Sequence, residues 1–123
     1  FPDAGPPWQV RKLYYQGAYS RRKVEALHEA CLQRGIESPF TGWLERWDPD
    51  EDDPSTTFVD VGDFLAVRNQ ALLAHATQID PDGNWFRVPD DVIREVYPYD
   101  DFQLARSLVD TEVPERSLFA GLE

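Results

Sequence analysis

Residues 20–35 form the segment of this sequence that most limits how the chain can fold. Four apolar residues follow the three-and-four spacing that places side chains on one face of a helix. They are Val24, Leu27, Cys31 and Leu32. Ser20 is a favoured N-cap residue, and Gly35 is the residue type that commonly ends a helix. The sequence therefore predicts a helix over about residues 20–34 that buries this face.

Three short segments have the alternating or branched composition of strands. They are residues 10–15, 56–61 and about 101–106. A second helix is predicted from residues 62–63 to about Thr77, with four apolar residues on or near one side. These are Phe64, Leu65, Leu72 and Ala76. With a shorter helix over residues 89–95, the chain is predicted to be of the α/β class, with short strands, two main helices and long loops.

The length and charge of the chain exclude several classes of protein. A chain of 123 residues, 41% of them apolar, makes at most one domain with a modest core. Twelve basic residues against 23 acidic ones give a net charge of -11, which repels nucleic acid and anionic lipid. No apolar run approaches the roughly 20 residues of a membrane span. We therefore expect a soluble, cytoplasmic protein that binds neither nucleic acid nor membranes.

Two segments have the composition of connecting regions. Residues 1–9 are rich in proline and glycine, which is typical of a linker. Residues 48–55 contain a run of carboxylates and are expected to form an exposed loop. This loop does not match a calcium-binding EF-hand, because taking Asp48 as its first position places Asp53 where the glycine is required.

The chain is also poor in metal ligands and nucleophiles. It has one cysteine, Cys31, which is expected to be an inert core thiol. His28 and His75 lie on separate predicted helices without a familiar ligand spacing. The pair Asp90 and Asp91 follows Val88-Pro89, so the histidine that would complete a His-Pro-Asp-Asp zinc motif is missing. We expect no catalytic residue and no metal ligand in this chain.

Residues 71–83 carry a specific motif, Ala-Leu-Leu-Ala-His-Ala-Thr-Gln-Ile-Asp-Pro-Asp-Gly. Here, and at residues 102–107 and 118–121, the chain resembles the C-terminal part of the LmbE-like deacetylases, specifically the mycothiol S-conjugate amidases. The resemblance extends over nearly the whole chain. It implies a zinc hydrolase with a Rossmann-like α/β fold that cleaves mycothiol conjugates into a mercapturic acid and glucosaminyl-inositol.

In that family the zinc ligands and the catalytic carboxylate belong to a His-Pro-Asp-Asp motif and a later histidine motif, and this sequence contains neither. The resemblance thus implies that residues 1–123 are the C-terminal portion of a single LmbE-like domain. Its partners would be the missing N-terminal catalytic half and a small-molecule thiol conjugate. Zinc would be held in the complete enzyme by ligands outside this chain, and the chain alone is expected to be inactive.

Two residues of the motif are predicted to bind substrate. The resemblance places the His-Ala-Thr-Gln segment near the substrate pocket, where the amide of Gln78 can both donate and accept hydrogen bonds. His75 is expected to contact the ligand or to orient the segment. The alternative from the residues alone is a helix C-terminus capped by its own side chains. The aromatic residues are expected to form a specificity wall for the thiol conjugate.

Two other functions remain open from the sequence. One is a related enzyme of natural-product biosynthesis that acts on a mycothiol adduct. The other is an acidic interaction module in which Trp43 and Trp47 anchor a protein partner.

Overall fold

The longest helix begins and ends where the sequence predicts it. The structure is a computed structural model that describes residues 2–17, 19–48 and 50–122. Helix α1 spans Arg21–Gln33, and the side chain of Ser20 caps it by accepting a hydrogen bond from the backbone N–H of Lys23 at 3.1 Å. Gly35, just beyond its end, has a φ of 67°, a left-handed conformation that glycine adopts at little cost.

The buried face of α1 matches the prediction at three of its four positions. Val24, Leu27 and Cys31 are buried, but Leu32 is 56% exposed, so its assignment to the core is wrong. The following residue in a helix is rotated by about 100°, which turns Leu32 from the core to solvent. Ala30 takes the fourth place on the buried face.

Three strands form one antiparallel sheet. They are β1 (Lys12–Gln16), β2 (Thr57–Asp60) and β3 (Tyr99–Ser107), in the order β1-β3-β2. In register, Tyr14 of β1 is opposite Leu104, and Phe58 of β2 is opposite Asp101. All three predicted strands are confirmed with shifts of one or two residues at their ends. The chain therefore mixes helices and strands as predicted, and its sheet is small.

Three further helices follow α1 in the sequence. They are α2 (Thr41–Leu44), α3 (Leu65–Ala74) and α4 (Asp90–Val96). α2 and α4 lie against α1, and α3 lies against α4. The second main helix was expected to reach Thr77, but α3 ends at Ala74. The backbone leaves the helical conformation at His75, whose N–H bonds Leu72 O at 2.9 Å and closes the last turn. Short 3-10 turns at Pro2–Ala4, Gly62–Phe64 and Asn84–Phe86 complete the regular elements of the described ranges.

The core lies between α1, α4 and the start of α3. Its fully buried members include Val24, Leu27, Phe40 and Leu65. Cys31 is also fully buried and free, and burial raises the pKa of its thiol, which disfavours the reactive thiolate. Among residues 2–17, 19–48 and 50–122, no helix has both the length and the apolar character needed to cross a membrane.

The two predicted connecting segments are exposed for most of their length. Residues 2–9 are all exposed, as are Asp48 and residues 50–52 of the acidic loop. Asp53 is half-buried and accepts hydrogen bonds from the backbone N–H groups of Ser55 at 2.9 Å and Arg22 at 3.3 Å. The hydrogen bond from Arg22 thus attaches the C-terminal end of the acidic loop to the start of α1.

Candidate functional site

An aromatic group around Tyr19 forms the walls of a cleft. The Tyr19 ring stacks on Trp85 with centroids 5.0 Å apart. It also meets the edges of Phe40 and Trp43 at 5.5 and 5.3 Å. Such aromatic pairs contribute about 0.5–1.5 kcal/mol each beyond the area they bury. Tyr19 therefore holds together walls that come from three separate parts of the chain.

The cleft has a volume of about 360 Å³, which is in the range of small-molecule sites. Its apolar lining includes Leu27, Val88 and Ile93, together with Tyr19 and Trp85. Its polar lining comes from Gln16, Asn84 and three charged side chains. An apolar cleft with a few polar groups is the usual form of a binding site for a small organic molecule.

The charged side chains of the cleft are held in place by contacts within the chain. Lys23 Nζ donates to Tyr99 O at 2.8 Å and lies 3.2 Å from an oxygen of Asp100. Arg68 donates to Asn69 Oδ1 at 3.0 Å, and Asn69 donates in turn to the carboxylate of Asp90. These partners fix the charges at the cleft before any ligand arrives, which lowers the cost of ordering them.

A second cavity of about 390 Å³ shares Gln16, Gly17 and Tyr19 with the cleft and lies beside the acidic loop. Asp101 on its wall is buried, accepts hydrogen bonds from Ser20 Oγ and accepts from Tyr97 OH at 3.1 Å. Burial raises the pKa of Asp101, and the hydrogen bonds from Ser20 and Tyr97 oppose that rise. Burial also raises the pKa of Tyr97, so this phenol stays protonated. Asp101 links α1, α4 and β3, which is a structural role.

Glu115 forms the most tightly bonded polar cluster that the structure describes. Its side chain is completely buried and lies 2.5 Å from Lys12 Nζ, 2.6 Å from Tyr14 OH and 2.7 Å from Thr57 Oγ1. Burial alone would raise the pKa of Glu115, but the hydrogen bonds from Lys12, Thr111, Tyr14 and Thr57 outweigh it and lower the pKa to about 2. The carboxylate is fully engaged, so it fixes the C-terminal tail to the sheet and is not free to act on a substrate.

Sequence reasoning missed the Glu115 cluster. Lys12 and Tyr14 alternate on one face of β1, which is a weak sign that a lysine points inward. Their partner is more than 100 residues away in the sequence, at Glu115. No local pattern can identify such a contact.

The two predicted substrate-binding residues, Gln78 and His75, lie outside the aromatic cleft. Both are exposed in the turn that follows α3, whereas Arg68 and Leu72 of that helix line the cleft. The turn is closed by backbone bonds, including Gln78 N–H to His75 O at 2.9 Å. Their roles in binding stay predictions.

The described residues do not fit a zinc site. Within residues 2–17, 19–48 and 50–122, no three His, Cys, Asp or Glu side chains converge as a metal site requires. His28 bonds Ser38 Oγ at 2.7 Å, and His75 lies on another helix end. The side chain of Asp80 accepts from the backbone N–H of Asp82, which is an ordinary turn contact.

Trp43 and Trp47, the anchors of the alternative interaction module, are both half-buried and pack against the core. Trp43 also contacts Phe40, with ring centroids 5.8 Å apart. These contacts place one side of each ring against the core.

Comparison with known proteins relates the chain to enzymes of one group. It is 49% identical over 126 residues to a mycothiol S-conjugate amidase of Streptomyces coelicolor, a match that covers 99% of this chain and 43% of the relative. It is 32% identical over 132 residues to a 1D-myo-inositol 2-acetamido-2-deoxy-alpha-D-glucopyranoside deacetylase of Rhodococcus jostii, with the same coverage. A deacetylase of that name from Segniliparus rotundus is 40% identical over 80 residues, which are 63% of this chain and 24% of the relative.

No protein-family model and no solved structure matches the sequence. The chain spans about two fifths of the length of the amidase and of the Rhodococcus deacetylase, and it matches their C-terminal part. The chain therefore belongs, as a C-terminal part, to the LmbE-like family of mycothiol S-conjugate amidases and inositol acetylglucosaminide deacetylases.

Proposed function

We propose that this chain is the C-terminal, substrate-covering part of a zinc-dependent amidase that cleaves mycothiol S-conjugates into a mercapturic acid and glucosaminyl-inositol. The complete enzyme would have the Rossmann-like fold that the resemblance implies, act in the cytoplasm and serve thiol-based detoxification. Its zinc would be held by residues other than those described here. The 49% identity to a named mycothiol S-conjugate amidase supports the substrate class.

The aromatic cleft is the observation that carries this proposal. It is a shaped, largely apolar cavity of about 360 Å³ whose charged groups are already paired. The cleft can therefore bind a small molecule, but its charged groups are not free to act as catalysts. This suits a part of an enzyme that binds and orients the substrate. Thiol conjugates differ in the group on sulfur, and a wall of stacked rings accepts varied apolar groups.

In this function Tyr19 and Trp85 contact the substituent on sulfur, and the cleft keeps water from that part of the substrate. Lys23 and Arg68, held by their partners, offer positive charge to polar groups of the conjugate. Gln78 is proposed to hydrogen-bond the sugar or acyl group, with His75 orienting its turn. Gln78 and His75 would then contact the part of the substrate nearer the amide bond.

The test uses the full-length protein made by joining this chain to the part of the Streptomyces coelicolor relative that precedes the match. Trp85→Ala removes one stacked wall, a ring contact of about 1 kcal/mol, and should raise KM for apolar conjugates by roughly fivefold with kcat nearly unchanged. The control is Trp8→Ala, because Trp8 is 87% exposed and does not line the cleft. Equal KM values for the two variants would contradict the role of the cleft. An unaltered full-length protein that cleaves no mycothiol conjugate would contradict the function itself.

A further inference from the structure

Helix α3 exposes most of its apolar residues to solvent. Seven of its ten residues are apolar, yet only Leu65 is buried. Two of its three polar residues, Arg68 and Asn69, are half-buried and point to the network with Asp90. An ordinary surface helix places its apolar stripe against the core and its polar residues in water. In α3 much of the apolar surface faces solvent.

Four of the exposed apolar residues, from Phe64 just before α3 to Ala74 at its end, form one continuous strip. They are spaced by three and four residues, as neighbours on one helix face must be. We call Phe64, Val67, Ala71 and Ala74 the outer face of α3. Phe64 is 63% and Val67 62% exposed, and both alanines are exposed. The two alanines are small enough for another backbone to approach closely.

A strip of this kind is normally covered. Contiguous exposed apolar patches commonly mark interaction surfaces. The relatives indicate what covers it, because this chain matches only 43% of the amidase and that part is C-terminal. More than half of the relative lies outside the match, and the part that precedes the match is available to cover this face.

We propose that the outer face of α3 docks the N-terminal part of the enzyme, the part that precedes the matched region in the relatives. The outer face runs directly into the turn that carries His75 and Gln78. Docking along α3 places this turn at the junction of the two parts, and both of its exposed side chains then face a partner. This inference rests on the proposed function, since it assumes the same longer enzyme.

Thiol labelling measures whether this face is covered. Ala71→Cys places a small reporter on the outer face, and Glu25→Cys places a matched reporter on the exposed side of α1. Each variant is prepared in the 123-residue chain and in the full-length protein described above. Labelling is followed at each cysteine by peptide mass spectrometry. Native Cys31, which is 0% exposed, reports in every sample whether the chain is folded.

Ala71→Cys should label at least about tenfold more slowly in the full-length protein than in the chain alone, because labelling then requires the two parts to open. Glu25→Cys should change by less than about twofold. If Cys31 shows that the chain alone is unfolded, the same tenfold difference is expected between the two positions within the full-length protein.

Three results would overturn the proposal. The first is equal labelling of Ala71→Cys in the two proteins. The second is equal slowing at both positions. The third is slowing of Ala71→Cys as the concentration of the isolated chain rises, which would assign the face to a second copy. Labelling needs no catalysis, so docking can succeed in a protein that hydrolyses no conjugate, and the two proposals fail separately.

Discussion

Helices α1 and α3 differ in how much of their surface is buried. α1 carries charged residues along its outer side and buries five residues against the rest of the chain, whereas α3 is richer in apolar residues and buries one. The more apolar helix is therefore the more exposed one. Burial of a helix face thus depends on which packing partners are present, and not on its apolar content alone. Within the part of the chain that the structure describes, α1 packs against other elements, whereas the outer face of α3 is exposed.

The largest effect should come from the buried polar contact that fixes the C-terminal tail to the sheet. Glu115→Gln leaves the ammonium of Lys12 without its buried counter-charge and should cost about 3–5 kcal/mol of unfolding free energy. Chemical denaturation measures it. The control is Glu25→Gln, since the Glu25–Arg21 pair is exposed and worth at most about 1 kcal/mol. Similar costs for the two variants would show that the Lys12–Glu115 contact contributes little.

The stability of the chain should also depend on pH through Glu115. The pKa of Glu115 is lowered from 4.5 to about 2 in the folded chain, so its contribution is full above pH 4.5 and is lost as the pH falls towards 2. The unfolding free energy of the unaltered chain should therefore fall in this window. The Glu115→Gln variant has no carboxylate at this position, so its unfolding free energy should fall less over the same pH range. Parallel curves for the two proteins would contradict the assignment.

The next largest effect tests the buried face of α1. Leu27 is 1% exposed, and Leu27→Ala should cost about 2–5 kcal/mol through lost contacts and a residual cavity. Leu32→Ala is the matched control, because Leu32 is 56% exposed and should change stability by less than about 1 kcal/mol. Equal shifts in melting temperature would mean that the face of α1 is misassigned.

A smaller effect is expected at Gln78 in the full-length protein. If its amide hydrogen-bonds the substrate, Gln78→Ala should lower kcat/KM by roughly threefold to tenfold, equivalent to about 0.5–1.5 kcal/mol, with the melting temperature kept. If Gln78 only stabilises the turn after α3, the melting temperature should fall and catalysis per folded molecule should stay the same. Measuring both quantities on one variant decides between the two roles.

The smallest effect is expected on the outer face of α3 in the isolated chain. Val67→Ser replaces an exposed branched residue by a polar one, and it should change stability there by no more than about 0.5 kcal/mol. In the full-length protein the same substitution should cost clearly more, because docking buries the position. An equal cost in both proteins would contradict docking at the outer face of α3.

The sequence allowed the local elements to be predicted because their signals are local. Ser20 and Gly35 mark the ends of α1, and the spacing of Val24, Leu27 and Cys31 marks its buried face. Leu32 was misplaced because its spacing alone does not show where the buried stripe stops. The early end of α3 depends on the backbone at His75, which composition does not determine.

The aromatic cleft could be predicted only in outline. The family resemblance implied an aromatic wall without assigning its residues, and the stack joins Tyr19 to Trp85, which are distant in the sequence. Contacts of this range arise from packing of whole elements and leave no pattern in either segment. The proposed roles of Gln78 and His75 came from the family resemblance.

The position of β3 at the centre of the sheet has a consequence for how the chain forms its structure. β1 and β2 both pair with β3 and not with each other. β3 follows both of these strands in the sequence, so during synthesis their pairings with it cannot form until residues 99–107 have left the ribosome. Pairings over such long sequence separations form slowly, because loop closure precedes any gain. α1 needs no such partner for its hydrogen bonds. The helices are therefore expected to assemble first, with the exposed residues of β1 unpaired and open to aggregation until the sheet closes.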